Sequence, residues 1–152
     1  MKNVIFLLPL LAMLSCEAPD NPHRAGFNYR GCLECDYYSV GESFVIRGES
    51  YIVADRSMLD AAISNDEDVT KYCTSKITSM DNLLVNQVSF NQDIGDWDVS
   101  RAGNVSNIFY DAKLFNQDIS GWCVSEIFTA PNGFSTHSAL TLSNHPVWGT
   151  CP

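Results

Sequence analysis

The chain has 152 residues, 45% of them hydrophobic and 18% charged, enough for one folded domain of ordinary size. Nine Lys and Arg stand against 18 Asp and Glu, a formal charge of −9. That balance, with no basic stripe, excludes a nucleic-acid-binding face, because phosphates need cations to neutralise them.

Met1 to Ser15 (MKNVIFLLPLLAMLS) carries one Lys and then an apolar run interrupted only by Pro9. It is too short to span a bilayer and has the layout of a secretory signal, so residues 1–15 read as a leader. Cys16 directly follows the small Ser15, as in a bacterial lipobox, where the Cys is acylated and becomes the new N-terminus; an ordinary signal peptide cut elsewhere is the alternative. The expected location is the bacterial outer membrane, on the cell surface, with the N-terminal lipid as the membrane contact. Several acyl chains give the stable anchoring that one does not. Residues 16–31, polar and containing Pro19 and Pro22, read as the tether.

Residues 32–65 read as an N-terminal cap. Phe44-Val45-Ile46 and Tyr51-Ile52-Val53 flank Arg47-Gly48-Glu49-Ser50, the pattern of a hairpin with a Gly-containing turn. Ser57, with Asp60 three positions on, predicts a capping box opening a short helix whose apolar stripe is Met58, Leu59, Ala62 and Ile63. Such an element covers an otherwise open strand edge.

An internal repeat follows over residues 66–125. Ser89–Ser100 (SFNQDIGDWDVS) and Leu114–Ser125 (LFNQDISGWCVS) are identical at eight of twelve positions, 25 residues apart. A fixed period in the twenties is a signature of stacked repeats, and a short array presents a surface more readily than a catalytic cleft. Degenerate copies extend the register on both sides. Leu84, Phe109 and Phe134 form one column; Ile77, Ala102 and Ile127, Phe90, Phe115 and Leu140, and Asn82, Asn107 and Asn132 form others. The expected core is Ile94, Val99, Phe109, Phe115, Ile119 and Val124, with Asp93 and Asp118 facing solvent. Trp97 and Trp122 read as repeated wall residues, with a ligand-stacking surface as the alternative. Residues 126–152 complete the chain as a degenerate repeat and C-terminal cap.

Five cysteines remain beyond Cys16: Cys32, Cys35, Cys73, Cys123 and Cys151. Cys73 and Cys123 sit two periods apart in one column, about 10 Å by strand spacing and too far for a bridge. Cys123 with Cys151 is the expected pair, tying the tail to the last full repeat. Cys32 and Cys35 form a local CxxC bridge, or one of them reaches Cys73. A redox site would need a βαβ unit around the CxxC, and zinc a second ligand pair; neither pattern is present, and His23, His137 and His145 are scattered. No catalytic residue, metal or cofactor is expected. The serines have no nucleophile context.

The core FNQDI-x-x-W-x-VS, followed by NVSNIFYDA, resembles the repeat of BspA-like leucine-rich-repeat surface lipoproteins of the Bacteroidetes and flavobacterial type, and the flanking segments are similar too. Leu83-Leu84-Val85 and Ile108-Phe109-Tyr110 depart from the usual Met-Phe step, and the repeats are few. The resemblance implies an α/β repeat solenoid: a leucine-rich-repeat-like, right-handed coil stack of about 25 residues per turn, with a hairpin-helix cap and a disulfide-linked C-terminal cap. It also implies a non-enzymatic, lipid-anchored surface protein that binds a protein or polysaccharide ligand in adhesion. An envelope-structural lipoprotein with no specific ligand is the alternative, and a thiol-redox lipoprotein using Cys32 and Cys35 a remote third.

Overall fold

The structure, a computed structural model, describes residues 25–27 and 31–152. The leader, Cys16 and most of the tether lie outside the described residues. Among the described residues, two small sheets, one α-helix and one turn of 3-10 helix (Leu142–Asn144) carry the regular structure. Strands β1 (Gly26–Phe27) and β2 (Leu33–Glu34) pair antiparallel. Strands β3 (Ser43–Ile46) and β4 (Glu49–Val53) form an antiparallel hairpin, and β4 also pairs parallel with β5 (Tyr72–Cys73).

The hairpin turn is tighter than the four residues expected. Arg47 and Gly48 alone close it, with φ of 52° and 86°, and Ile46 pairs directly with Glu49. Two positive-φ residues match the right-handed twist of the flanking strands, and Gly supplies one of them without steric cost.

Helix α1 (Arg56–Ser64) follows, two residues earlier than the expected capping box places it. Its cap is Asp55, not Ser57: the Asp55 carboxylate accepts from the Met58 amide at 2.8 Å and from the Ser57 hydroxyl at 2.7 Å. Those bonds, the Met58 amide first, hold the Asp55 carboxyl below its ordinary value. The buried face is Leu59, Ala62 and Ile63.

Beyond β5 the chain is not the α/β leucine-rich-repeat-like right-handed coil stack that the repeat and its resemblance imply. Residues 74–141 hold turns and one isolated parallel bridge, Ser79 with Asn104, where that architecture needs a strand in every repeat. Asn82, Asn86, Asn107 and Asp111 all have φ between 54° and 61°, which interrupts any strand over 82–86 and 107–111.

The period nonetheless has a structural counterpart in the hydrogen bonds. Amides of Met80, Asn82, Leu84 and Asn86 donate to the carbonyls of Asn104, Ser106, Ile108 and Tyr110 at 2.8–3.0 Å. Those of Asn107, Phe109 and Asp111 donate to Asn132, Phe134 and Thr136 at 2.9–3.0 Å. The step grows from 24 residues to 25, so one extra residue enters before the third copy. Gly133, not Asn132, therefore takes the positive φ that Asn82 and Asn107 have in the earlier copies. The expected columns ending at Asn132 and Phe134 slip by one accordingly.

Two apolar clusters result. The larger joins Leu59, Ala62 and Ile63 of α1 to the repeat residues, from Val69 to Leu140. The smaller gathers Leu33, Cys35, Phe44, Tyr51, Val53 and Cys73 around the sheets.

Candidate surface at the C-terminal end

Each repeated side chain is best understood from what it touches. Ile94, Phe109, Phe115 and Ile119 are fully buried, and Val99 and Val124 nearly so. Phe109 stacks on Phe115 with centroids 4.1 Å apart, and Phe115 on Phe90 at 5.9 Å. Rings in such offset pairs add to the energy of burial.

Trp97 and Trp122 do not form a binding surface: they are 1% and 0% exposed. The Trp97 indole N–H donates to the Val69 carbonyl at 3.2 Å, and that of Trp122 to Ile94 at 3.1 Å. Each indole thus spans 28 residues back to the preceding copy and satisfies a buried carbonyl. Large repeated aromatics were readable from the sequence; the acceptors waiting for them were not.

The Asn residues serve the backbone and one another. Asn107 donates to the Asn82 side chain at 3.2 Å. Asn91 accepts from the Asn116 amide at 3.0 Å, and Asn116 from the Thr141 amide at 2.9 Å, an identical bond one period later.

A surface cavity of about 390 Å³ is lined by Gly31, Asp93, Gly95, Asp96, Asp118, Ser120 and Gly121. Its carboxylates are engaged in turns: Asp93 accepts from the Gly95 amide at 3.1 Å and Asp118 from the Ser120 amide at 3.0 Å. Ser120, through its hydroxyl first and then its amide, lowers the Asp118 carboxyl below its ordinary value. Asp96 is shifted the other way, by partial desolvation and by the charge of Asp93. Among the described residues no group of three or more His, Cys, Asp or Glu is placed to hold a metal ion.

Disulfides join Cys123 to Cys151, the expected pair, and Cys35 to Cys73. Of the two expected alternatives, the local Cys32–Cys35 bridge is not formed and Cys35 reaches Cys73. Cys32 lies outside both bridges and is 2% exposed, which leaves no accessible CxxC.

The tail is held in several ways besides its bridge. Val124 donates to the Thr150 carbonyl at 2.9 Å and Gly149 to that of Ile127 at 2.8 Å. Trp148 meets Phe134 edge-on at 4.8 Å. His145 lies 5.3 Å from the Phe134 ring, with Nε2 3.2 Å from the Ser135 hydroxyl. Burial pushes the His145 imidazole below its ordinary value. Sequence reasoning passed over this contact, since a lone His and a lone Ser ten residues apart carry no motif.

Among polar neighbours, this end leaves three large apolar side chains outside. Phe128, Leu142 and Val147 are 76%, 86% and 62% exposed, all within the last 25 residues. They form the candidate interaction surface.

Comparison with curated proteins and with solved structures gives no match. One family does match, over residues 50–148, well over half of the chain and including α1 and every copy of the repeat. The chain therefore belongs to the family described as "Mycoplasma protein of unknown function, DUF285".

Proposed function

We propose that this is a non-enzymatic, lipid-anchored cell-surface protein that binds a protein or polymer partner. The observation that carries the proposal is the exposure of Phe128, Leu142 and Val147 on a domain whose repeated Ile, Val, Phe and Trp are buried. Exposed large apolar side chains suit a contact surface, whereas a spacer gains nothing from them. The likeness of FNQDI-x-x-W-x-VS to BspA-like surface lipoproteins supports the same function, although a family likeness alone does not establish it.

The test is retention of the soluble chain, residues 17–152, on immobilised host and environmental polymers, beside the variant Phe128→Ser/Leu142→Ser/Val147→Ser. Selective retention of the parent and its loss in the variant are the expected result. Equal behaviour of the two on every polymer would remove the binding role and leave the envelope-structural one.

Anchoring through Cys16 belongs to the same proposal, because Cys16 alone follows an apolar run and a small residue. Cys16→Ala should abolish labelling by a fatty-acid analogue and release the protein from membranes. Unchanged labelling would remove the lipid.

A further inference from the structure

The third copy of the repeat departs from the earlier two at one step. The Asn107 side chain donates to that of Asn82, and both residues have positive φ. The extra residue puts Gly133, at φ 66°, where the next Asn of that ladder would stand. A Cβ there would overlap the Asn107 side-chain carbonyl, so no larger residue takes the place. Asn132 is displaced by one position as a result. It is exposed, and among the described residues its side chain has no hydrogen-bond partner.

The amide that follows Asn132 is open as well. In the earlier copies the amides of Asn82, Leu84 and Asn86, then of Asn107, Phe109 and Asp111, donate to carbonyls of the next copy. Their equivalents in the third copy are the amides of Gly133, Ser135 and His137, which have no acceptor among the described residues. Pro131 to Phe134 form a turn closed by the Phe134 amide on the Pro131 carbonyl at 3.2 Å, with Gly133 in the position that takes a positive φ.

These features meet the needs of one intramolecular reaction, the attack of a backbone nitrogen on the side-chain carbonyl of the Asn before it. The two groups are already adjacent, so no encounter is needed. The Asn side chain must be unheld, the nitrogen uncrowded by a Cβ, and its N–H not engaged in a hydrogen bond. Asn132 and Gly133 satisfy all three. Asn82, Asn86 and Asn107 do not: Leu83, Gln87 and Ile108 follow them, with amides bonded to the carbonyls of Met80, Leu84 and Val105 at 3.2–3.3 Å. No other Asn in the sequence precedes a Gly.

We propose that Asn132-Gly133 is a self-modification site, at which Asn132 loses its side-chain nitrogen as ammonia. The Gly133 nitrogen gives its proton to hydroxide and bonds to Asn132 Cγ; the Cγ–Nδ2 bond breaks, and ammonia leaves with a proton from water. Water then opens the cyclic imide. Opening at the side-chain carbonyl gives Asp. Opening at the main-chain carbonyl gives isoaspartate, in which the chain runs through Cγ and is longer by one methylene. Either product carries a new carboxylate, and nothing is oxidised or reduced. The Asn132 main-chain carbonyl accepts from the Asn107 amide at 3.0 Å, and in isoaspartate it no longer belongs to the main chain. Conversion therefore loosens the joint between the second and third copies. This goes beyond the binding role proposed above and does not depend on it.

The test incubates the folded chain of residues 17–152 at mildly alkaline pH beside a synthetic peptide of residues 128–137 (FTAPNGFSTH), with peptide mapping by mass spectrometry over time. Asn132 should convert in the folded chain at a rate of the same order as in the peptide, faster as pH rises, and with isoaspartate the main product. Asn82, Asn86 and Asn107 should stay intact over that time. Asn132→Gln, which must close a larger and slower ring, should gain no charge. Asn132 intact in the folded chain after the peptide has largely converted would overturn the proposal, as would conversion of Asn82 or Asn107 at an equal rate. Hydrogen exchange then checks the consequence: the Asn107 amide should exchange faster in the converted chain while Leu84 is unchanged, and equal protection of Asn107 in both forms would overturn the loosening.

Discussion

Replacing Ile119 by Ala tests the burial of the repeated residues. Ile119 is fully buried, and the substitution removes three carbons from a site packed within the larger cluster. At about 0.8 kcal/mol for each buried carbon the transfer loss is about 2.4 kcal/mol. The cavity left behind raises the cost to about 3 kcal/mol, within the usual range for such truncations. The Ile119 amide keeps its bond to the Asn144 carbonyl, so the backbone is spared. For a domain of this size the melting temperature should fall by roughly 10 °C. Asp118→Asn is the control: the exposed carboxylate accepts from Ser120, and an Asn oxygen can do the same, so its effect should stay within about 0.5 kcal/mol. Thermal melts followed by circular dichroism compare the two. A parent-like melt for Ile119→Ala together with collapse of Asp118→Asn would refute the burial pattern.

Three further predictions use other parts of the fold. Cys123→Ser/Cys151→Ser opens a bridge of sequence separation 28 and should cost about 3 kcal/mol in urea unfolding; an unchanged midpoint would mean that the Trp148 and Thr150 contacts hold the tail alone. Gly133→Ala should destabilise by about 1–2 kcal/mol, because Gly133 has φ of 66° and a Cβ there would run into the side-chain carbonyl of Asn107; Gly103→Ala, which meets open space, should be close to neutral in the same melts. Because burial lowers the His145 pKa, the unfolded chain binds more protons than the folded one as pH drops past the ordinary value of 6.5. Stability present above that value is therefore lost on acidification, and His145→Gln should flatten the melting-temperature slope between about pH 7 and pH 5 relative to the parent.

Much of the fold was legible where local chemistry decided it. The runs Phe44-Val45-Ile46 and Tyr51-Ile52-Val53 around a Gly-containing turn signalled the hairpin, and the stripe of Met58, Leu59, Ala62 and Ile63 signalled the helix. Its true cap at Asp55 was hidden because Ser57 and Asp60 offer the same pattern two residues later; the pairing of Arg56 with Asp60 at 2.9 Å uses that carboxylate instead. The repeat announced a 25-residue register, and buried Ile94 and Ile119 follow it. Strand-based coils do not follow from that register, because positive φ at Asn82, Asn86, Asn107 and Asp111 is a property of turns that identical spacing does not disclose. The extra residue before Gly133 was likewise hidden in a copy too degenerate to align. Cys35 meets Cys73, one of the two pairings the sequence left open, because the spacing of the cysteines alone does not choose between a local bridge and a partner 38 residues away. At the candidate surface, nothing in the sequence marks Leu142 and Val147 as the exposed apolar residues they are.

Amide hydrogen exchange of the unliganded chain tests most directly the central claim that successive repeats are joined by backbone hydrogen bonds and that the last copy ends in an open row. The amides of Asn82, Leu84, Asn86, Asn107, Phe109 and Asp111 should exchange slowly, and those of Gly133, Ser135 and His137 at least about tenfold faster. Fast exchange at Asn107, Phe109 and Asp111, or protection of Gly133, Ser135 and His137 equal to theirs, would contradict it.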